Sequence, residues 1–266
     1  SLLTWDVLVL NGYLILNVLA VAYVLYSLAK GEHYKMSVMW PIVLISIPWA
    51  FSIHTITAFL YNGLVSRPFW NASIIAPRFI ASALCSGPAL MLIIFQIIRK
   101  VSKIEVTDRA LFIIAELIAY TMAVNLYLFV AEIFKEFYSH SLHLAPMEYL
   151  YFGLDHESSH LAKFAWTSLA FNIIAFLLFL IPKTRKNFFS LNLACVLVFL
   201  GVYLEKGMGL VIPGFIPGTL GEIYKYMPTM LEVFVSLGIW AFGALVFTLL
   251  VKITIPLYTG EVHQKA

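Results

Sequence analysis

Residues 230–258 read MLEVFVSLGIWAFGALVFTLLVKITIPLY, and no charged residue stands between Glu232 and Lys252. An α-helix rises about 1.5 Å per residue, so about twenty apolar residues cross a hydrocarbon layer of about 30 Å. This stretch is therefore long and apolar enough to span a membrane as a helix. Similar apolar runs recur upstream of it. The predicted spans cover, to within a few residues, positions 4–29, 38–61, 73–98, 109–137, 160–181, 187–204 and 230–258.

The composition of the whole chain supports the same fold class. Of its 266 residues 62% are hydrophobic and 12% are charged, and the mean hydropathy is +0.91. Soluble domains are about half apolar and about a quarter charged. A soluble globular fold is thereby excluded. The sequence predicts an all-α, polytopic transmembrane helix bundle that forms a single domain over residues 1–266.

Charge and cysteine content exclude two further classes of protein. The formal net charge is +3, and the basic residues are spread over short connections, so nucleic acid is not expected as a partner. Cys85 and Cys195 both fall inside apolar runs. This position indicates packing residues rather than a disulfide framework or a cysteine-ligated cluster.

The distribution of basic residues predicts the orientation of the chain in the cytoplasmic membrane. Eleven of the 17 Lys and Arg residues fall on one side of the predicted spans, and the positive-inside rule assigns that side to the cytoplasm. The N-terminus is then outside and the C-terminus is cytoplasmic. The two long outer connections, 138–159 and 205–229, are where we expect a partner subunit, because long loops carry function. The cytoplasmic group comprises Lys30, Lys35, Arg99, Lys100, Lys103, Arg109, Lys183, Arg185, Lys186, Lys252 and Lys265.

His54 is the only histidine within a predicted span. It lies seven residues inward of Tyr61, or about 10 Å deep at about 1.5 Å per residue. A membrane haem b usually takes two histidines from facing helices, so no haem is expected in this chain. Two roles remain open for His54. It either makes a hydrogen bond to a neighbouring helix or, with Thr55 and Thr57 beside it, exchanges a proton with a quinone carbonyl.

Charged residues in the other spans need partners, because a charged group in a bilayer is costly. Arg78 lies within two turns of the outer end of its span and requires a carboxylate, a backbone carbonyl or a bound ligand. Four carboxylates lie near span ends, where a solvated position at the membrane interface is as good an interpretation as a functional role inside the bundle. They are Asp6, Glu132, Glu205 and Glu232. Glu205 is also adjacent to Lys206.

The fourth predicted span carries two polar stripes. Glu116 and Tyr120 share one face at a spacing of four residues, and Asn125 and Glu132 share another. The stripes are consistent with a half-channel for protons from the cytoplasm and equally with hydrogen bonds between helices.

The outer connection contains a formal zinc motif. The segment His156-Glu157-Ser158-Ser159-His160 matches H-E-x-x-H, which on a helix places two histidines on one face for zinc. No third ligand stands at a recognised spacing. His156 and His160 are therefore weak metal candidates, a membrane zinc hydrolase is an alternative, and a solvated loop that contacts a partner is the preferred interpretation.

Several strings of residues together resemble a known family, the NrfD/PsrC membrane subunits. The resemblance runs from about residue 4 to 258 and is greatest to the DsrP-like branch found in sulfite-reduction-associated complexes. Its most specific parts are the Arg-Pro-Phe-Trp-Asn and Glu-Lys-Gly-x-Gly strings. The strings occupy residues 5–13, 53–59, 66–71, 77–88 and 205–217.

The resemblance implies a cofactor-free membrane subunit, without haem or iron–sulfur cluster, that binds menaquinone near the outer face. It also implies electron exchange with a ferredoxin-like iron–sulfur subunit docked there. The quinone-contacting Tyr or His of the family precedes the Arg-Pro-x-Trp-Asn loop, which by position is His54. Family members carry two or three further helices upstream, so we expect upstream sequence and part of the pocket to be missing. In the DsrP-like branch the companions include a haem b subunit, a multihaem cytochrome c and a heterodisulfide-reductase-like subunit.

The leading hypothesis is a quinone-interacting subunit of a respiratory redox complex, which is not catalytic alone and belongs to anaerobic sulfur metabolism. His54 and Arg78 would engage the quinone head near Thr57, and Asn11 or Asp6 would orient or protonate it. Glu116, Tyr120, Asn125 and Glu132 would form the proton path. A structural anchor without quinone is one alternative. A seven-helix receptor or retinal protein is another, although the seventh span offers a retinal only Lys252, near its inner end.

Overall fold

The computed structural model describes residues 1–102, 104–139, 144–153, 160–216 and 227–260. Within these ranges the chain is helical and contains no strand. The α-helices are α1 (Leu2–Ala29), α2 (Met36–Asn62), α3 (Ile75–Val101), α4 (Asp108–Ser139), α5 (Leu144–Tyr151), α6 (Ala162–Leu180), α7 (Pro182–Arg185), α8 (Phe188–Lys206) and α9 (Met230–Tyr258).

Seven helical segments are long and apolar enough to cross a membrane, which confirms the predicted number of spans. The sixth segment extends further than the sequence predicts. α8 ends at Lys206, and helical backbone continues through a π turn, Gly207–Val211, and a 3₁₀ turn, Pro213–Phe215. Gly and Pro in this stretch change the type of helical turn without ending the helical path. The first part of the predicted connection 205–229 is therefore helical.

The chain divides into two compact units. The first comprises Ser1–Ile56, Arg99–Glu105 and Pro228–Ala266, so it holds α1, most of α2 and α9. In this unit the indole Nε1 of Trp49 donates a hydrogen bond to the carbonyl of Val9 at 2.8 Å. Most apolar side chains of these helices are exposed, as expected for helices that are surrounded by lipid.

Glu232 has a local structural role at the start of α9. Its carboxylate accepts a hydrogen bond from the backbone N–H of Thr229 at 2.7 Å, and the Thr229 hydroxyl accepts one from the backbone N–H of Glu232. This is a capping box, which satisfies two N–H groups that the first turn leaves without helical partners.

The second unit comprises Thr57–Ile98 and Val106–Met227, and its core lies between α3, α4, α6 and α8. Many core residues are small, which lets helices approach closely. α8 approaches α6 at Gly201, whose carbonyl accepts a hydrogen bond from Ser168 Oγ at 2.7 Å. A Cβ added at Gly201 would lie 2.7 Å from Asn172 Oδ1 and 3.3 Å from the Asn172 backbone nitrogen. This interface therefore requires glycine.

Replacement of Gly201 tests this helix contact. We expect Gly201→Val to lower the free energy of unfolding by about 1–3 kcal/mol, because the added methyl groups overpack the interface. Gly243→Val on α9 is the matched control, since nothing lies within 4 Å of a Cβ added there. Thermal or denaturant unfolding of the purified protein measures both changes. Equal losses for the two variants would contradict the assignment.

Candidate functional site

The second unit contains a buried ion pair that joins three helices. Arg78, near the start of α3, contacts the carboxylates of Glu132 on α4 and Glu205 on α8. Its Nη2 lies 2.5 Å from Oε1 of Glu205. The side chains of all three residues are at most 9% exposed. The partners that Arg78 needs inside an apolar bundle are thus two carboxylates of this chain.

Two more side chains complete the group. Lys206 places its Nζ 3.1 Å from Oε1 of Glu205, and Asn172 on α6 donates from Nδ2 to Oε2 of the same carboxylate at 3.2 Å. The Arg78 guanidinium also lies 5.4 Å from the centre of the Phe129 ring. We refer to Arg78, Glu132, Asn172, Glu205 and Lys206 as the Arg78 cluster.

The Arg78 cluster is balanced in formal charge, since it holds two basic and two acidic side chains. An isolated ion buried in a protein costs several kcal/mol, and hydrogen-bonded pairing offsets this penalty. Each carboxylate in the cluster contacts at least one cation. The arrangement therefore keeps ionisable groups inside the bundle without a net buried charge.

A small cavity lies beside the Arg78 cluster. Its volume is about 20 Å³, which is room for about one water molecule. Arg78, Glu132, Asn172 and Glu205 line one part of it, and apolar and aromatic side chains line the rest. Arg78 Nε and Asn172 Oδ1 are buried and have no hydrogen-bond partner among the described residues. Buried polar atoms of this kind are usually satisfied by water, and a cavity of this size has room for one water molecule.

The residues predicted to bind quinone are divided between the two units. Asp6 and Asn11 on α1 and His54 on α2 belong to the first unit, whereas Thr57 and Arg78 belong to the second. The Asn11 amide donates to the carbonyl of Val7, one turn earlier, at 2.8 Å. His54 and Thr57 are half-buried.

The residues predicted to form a proton path occupy two faces of α4. The Tyr120 hydroxyl donates to Oε1 of Glu116 at 3.1 Å on the more exposed face, and Oε2 of Glu116 lies 3.4 Å from Nη2 of Arg185. Asn125 and Glu132 are buried. Neither polar atom of the Asn125 amide has a hydrogen-bond partner among the described residues.

Sequence reasoning missed Glu136, a buried carboxylate that follows Glu132 by four residues. Its side chain is 2% exposed and lies 3.1 Å from Nζ of Lys135, which is largely exposed. The helical spacing from Glu132 was the available signal, because residues four apart share a helix face. It was missed because a carboxylate so close to a span end is also typical of a solvated surface.

The zinc motif lies mainly outside the described residues. Of its five positions the structure describes only His160, which is exposed. Among the residues that the structure describes, no three His, Cys, Asp or Glu side chains are grouped to hold a metal ion.

The chain is similar over most of its length to known proteins. A family model described as "Polysulphide reductase, NrfD" matches residues 1–216. Three similar curated proteins are each 25% identical to this chain. They are a putative membrane subunit of dimethyl sulfoxide reductase from Halobacterium salinarum, an Hdr-like menaquinol oxidoreductase integral membrane subunit from Archaeoglobus fulgidus and a selenate reductase subunit from Mesobacillus selenatarsenatis.

The similarity covers most of this chain and less of each relative. It extends over 82%, 95% and 87% of this chain for the three relatives in that order. The corresponding shares of the relatives are 54%, 65% and 56%. The chain therefore spans between about half and two thirds of the length of the curated relatives that it matches.

Removal of the central cation tests the charge balance of the Arg78 cluster. We expect Arg78→Gln to lower the free energy of unfolding by about 3–5 kcal/mol, because it leaves a buried carboxylate unpaired. The double variant Arg78→Gln/Glu132→Gln removes one charge of each sign and should recover part of the loss.

The exposed Lys100 provides the control for that measurement. Lys100→Gln removes the same type of charge from a solvated position and should change the free energy of unfolding little. The charge-balance account is wrong if Arg78→Gln is no more destabilising than Lys100→Gln, or if the double variant is less stable than Arg78→Gln alone.

Proposed function

This chain belongs to the polysulphide reductase NrfD family, and from that membership we propose that it is the quinone-interacting membrane subunit of a respiratory redox complex. It would pass electrons between menaquinone and an iron–sulfur partner subunit at the outer face of the cytoplasmic membrane. One relative is named as a menaquinol oxidoreductase subunit, and two others are named as subunits of a dimethyl sulfoxide reductase and a selenate reductase. These names support a quinone as the electron carrier and a redox subunit as the partner.

The observation that carries the proposal is the Arg78 cluster. Reduction of a quinone consumes two electrons and two protons, so a subunit without a redox centre of its own contributes binding groups and proton-exchanging groups. Ionisable residues within a membrane bundle are costly and are functional by default. The cluster supplies two carboxylates that contact cations beside a small cavity, which is consistent with such a role.

We assign the quinone contacts to the predicted residues. His54 donates a hydrogen bond to a quinone carbonyl and exchanges a proton with it, with Thr57, Asn11 and Asp6 supporting the head group. Within the second unit, Arg78 Nε has no acceptor among the described residues and is the donor that we assign to Arg78. Because the neighbouring cavity has room for about one water molecule, we expect Arg78 to act through a bound water.

The partner subunits follow from the same likeness. A ferredoxin-like iron–sulfur subunit would dock near the predicted outer connections. A haem b subunit, a multihaem cytochrome c and a heterodisulfide-reductase-like subunit would complete an assembly of the DsrP-like type. The similarity to an Hdr-like menaquinol oxidoreductase subunit of Archaeoglobus fulgidus, over 95% of this chain, supports the heterodisulfide-reductase-like partner in this proposal. A purely structural anchor would share the fold and the partners but would hold no quinone.

Extraction of quinone from the purified native complex tests the proposal. We expect menaquinone by mass analysis in the wild type and about tenfold less in His54→Ala, since the loss of a hydrogen bond worth about 1.4 kcal/mol lowers the affinity tenfold. His33→Ala, at an exposed position outside the spans, is the matched control and should retain the quinone. Retention in all three samples would refute the role of His54. Absence from all three would favour the anchor.

Neutralisation of Glu116 tests the proton path. We expect Glu116→Gln to lower quinone-coupled proton uptake by about tenfold or more while the complex still assembles, because the amide cannot exchange a proton. Glu105→Gln makes the same change at an exposed position and serves as the control. The measurement is proton uptake by the complex in sealed vesicles during quinone turnover. Uptake equal to that of the control would remove Glu116 from the path.

A further inference from the structure

Trp70 is buried at the end of the second unit where α3 begins. It ends a short 3₁₀ turn, Pro68–Trp70, and is 3% exposed. Its indole Nε1 donates to the carbonyl of Leu210 at 2.8 Å. Its ring meets the Phe215 ring edge-to-face, with the centroids 4.8 Å apart. Trp70 therefore connects the loop before α3 to the helical segment after α8.

Gly214 makes room for the indole. A Cβ added at Gly214 would collide with the Trp70 ring, so no other residue fits without displacing the tryptophan. A second hydrogen bond joins the same two segments, since Nη1 of Arg67 donates to the carbonyl of Phe215 at 3.1 Å. We refer to Trp70, Leu210, Gly214 and Phe215 as the Trp70 clamp.

The Trp70 clamp joins the two chain segments that carry Arg78 and Glu205. Trp70 precedes Arg78 by eight residues, and Leu210 follows Glu205 by five. Leu210 lies within the π turn, Gly207–Val211, that follows α8 and interrupts its α-helical hydrogen-bond pattern, and the Trp70 indole supplies this turn with a hydrogen bond from outside the helix. The neighbours of the clamp residues, Phe69 and Gly209, line the same cavity as Arg78 and Glu205.

We infer that Trp70 is a positioning residue that holds the ends of α3 and α8 in register, so that Arg78 and Glu205 remain paired for quinone turnover. The inference rests on the proposed function. An ion pair in a low-dielectric interior changes strongly in energy with small changes in separation. Displacement of the indole would therefore change the separation of Arg78 and Glu205, although no described contact joins Trp70 to a charged group of the Arg78 cluster.

Two variants loosen the Trp70 clamp in different ways. Trp70→Phe removes the indole donor and keeps an aromatic ring, and Gly214→Ala drives the ring out of its place. Gly207→Ala is the matched control, because nothing lies within 4 Å of a Cβ added there. In the intact complex we expect both clamp variants to lower quinone-linked turnover by about tenfold, a loss of about 1.4 kcal/mol of transition-state stabilisation. The control should stay within about twofold of the wild type, on the same scale.

A double-mutant cycle with Glu205→Gln separates positioning from a general structural effect. If Trp70 acts through Glu205, Trp70→Phe lowers turnover far less in the Glu205→Gln background than in the wild type. Effects that multiply would overturn the inference, as would turnover in both clamp variants equal to that in Gly207→Ala. If Gly214→Ala fails to assemble, Trp70→Phe alone decides the result.

The same cycle on unfolding distinguishes this inference from the proposed function. If the wild-type complex shows no quinone turnover, the proposed function fails. The coupling is then measured on the unfolding midpoints of Trp70→Phe, Glu205→Gln and the double variant. If the shifts in the unfolding midpoint are non-additive, they support the positioning role of Trp70. Additive shifts would overturn it.

Discussion

A guanidinium inside an apolar helix bundle must be met by acceptors, and Arg78 is met by two carboxylates from different helices. This pairing determines which faces of α3, α4 and α8 converge, because an unpaired buried charge costs several kcal/mol. It also accounts for Lys206 and Asn172, which bring a cation and an amide donor to Glu205. The cavity of the second unit lies beside this group, and the Trp70 clamp joins the chain segments that carry Arg78 and Glu205.

Close helix packing and charge pairing support each other in this unit. Asn172 reaches Glu205 because α6 and α8 approach at Gly201, where a larger residue would collide with the same asparagine. The carbonyl of Gly201 is in turn used by Ser168. At the contact of α6 and α8, the small residue therefore has two effects. It allows close packing, and it brings polar side chains within hydrogen-bond distance in a region that lipid surrounds.

The seven spans were predictable because length and hydropathy alone decide whether a helix can cross a bilayer. The need of Arg78 for a partner was also predictable from the cost of a buried charge. Its partners were not, because Glu132 and Glu205 lie far apart in the sequence and near span ends, where a solvated carboxylate is equally reasonable. The Trp70 clamp was missed for a related reason: the Gly- and Pro-rich segment after Glu205 is typical of a loop, and only the fold places Gly214 against an indole. Sequence reasoning grouped Asp6, Asn11, His54, Thr57 and Arg78 by span and polarity, and these residues are divided between the two units.

The names of the relatives refer to different reactions, namely those of dimethyl sulfoxide reductase, selenate reductase and menaquinol oxidoreductase. A terminal substrate imposes its chemistry on the subunit that binds it, whereas a membrane subunit is in contact with the bilayer whatever that substrate is. The constraint that acts on such a subunit is to keep ionisable groups in an apolar medium at no net charge. A balanced cluster of two cations and two carboxylates satisfies that constraint whatever the terminal substrate is. The chemistry that this chain contributes is therefore to be sought among its buried charges.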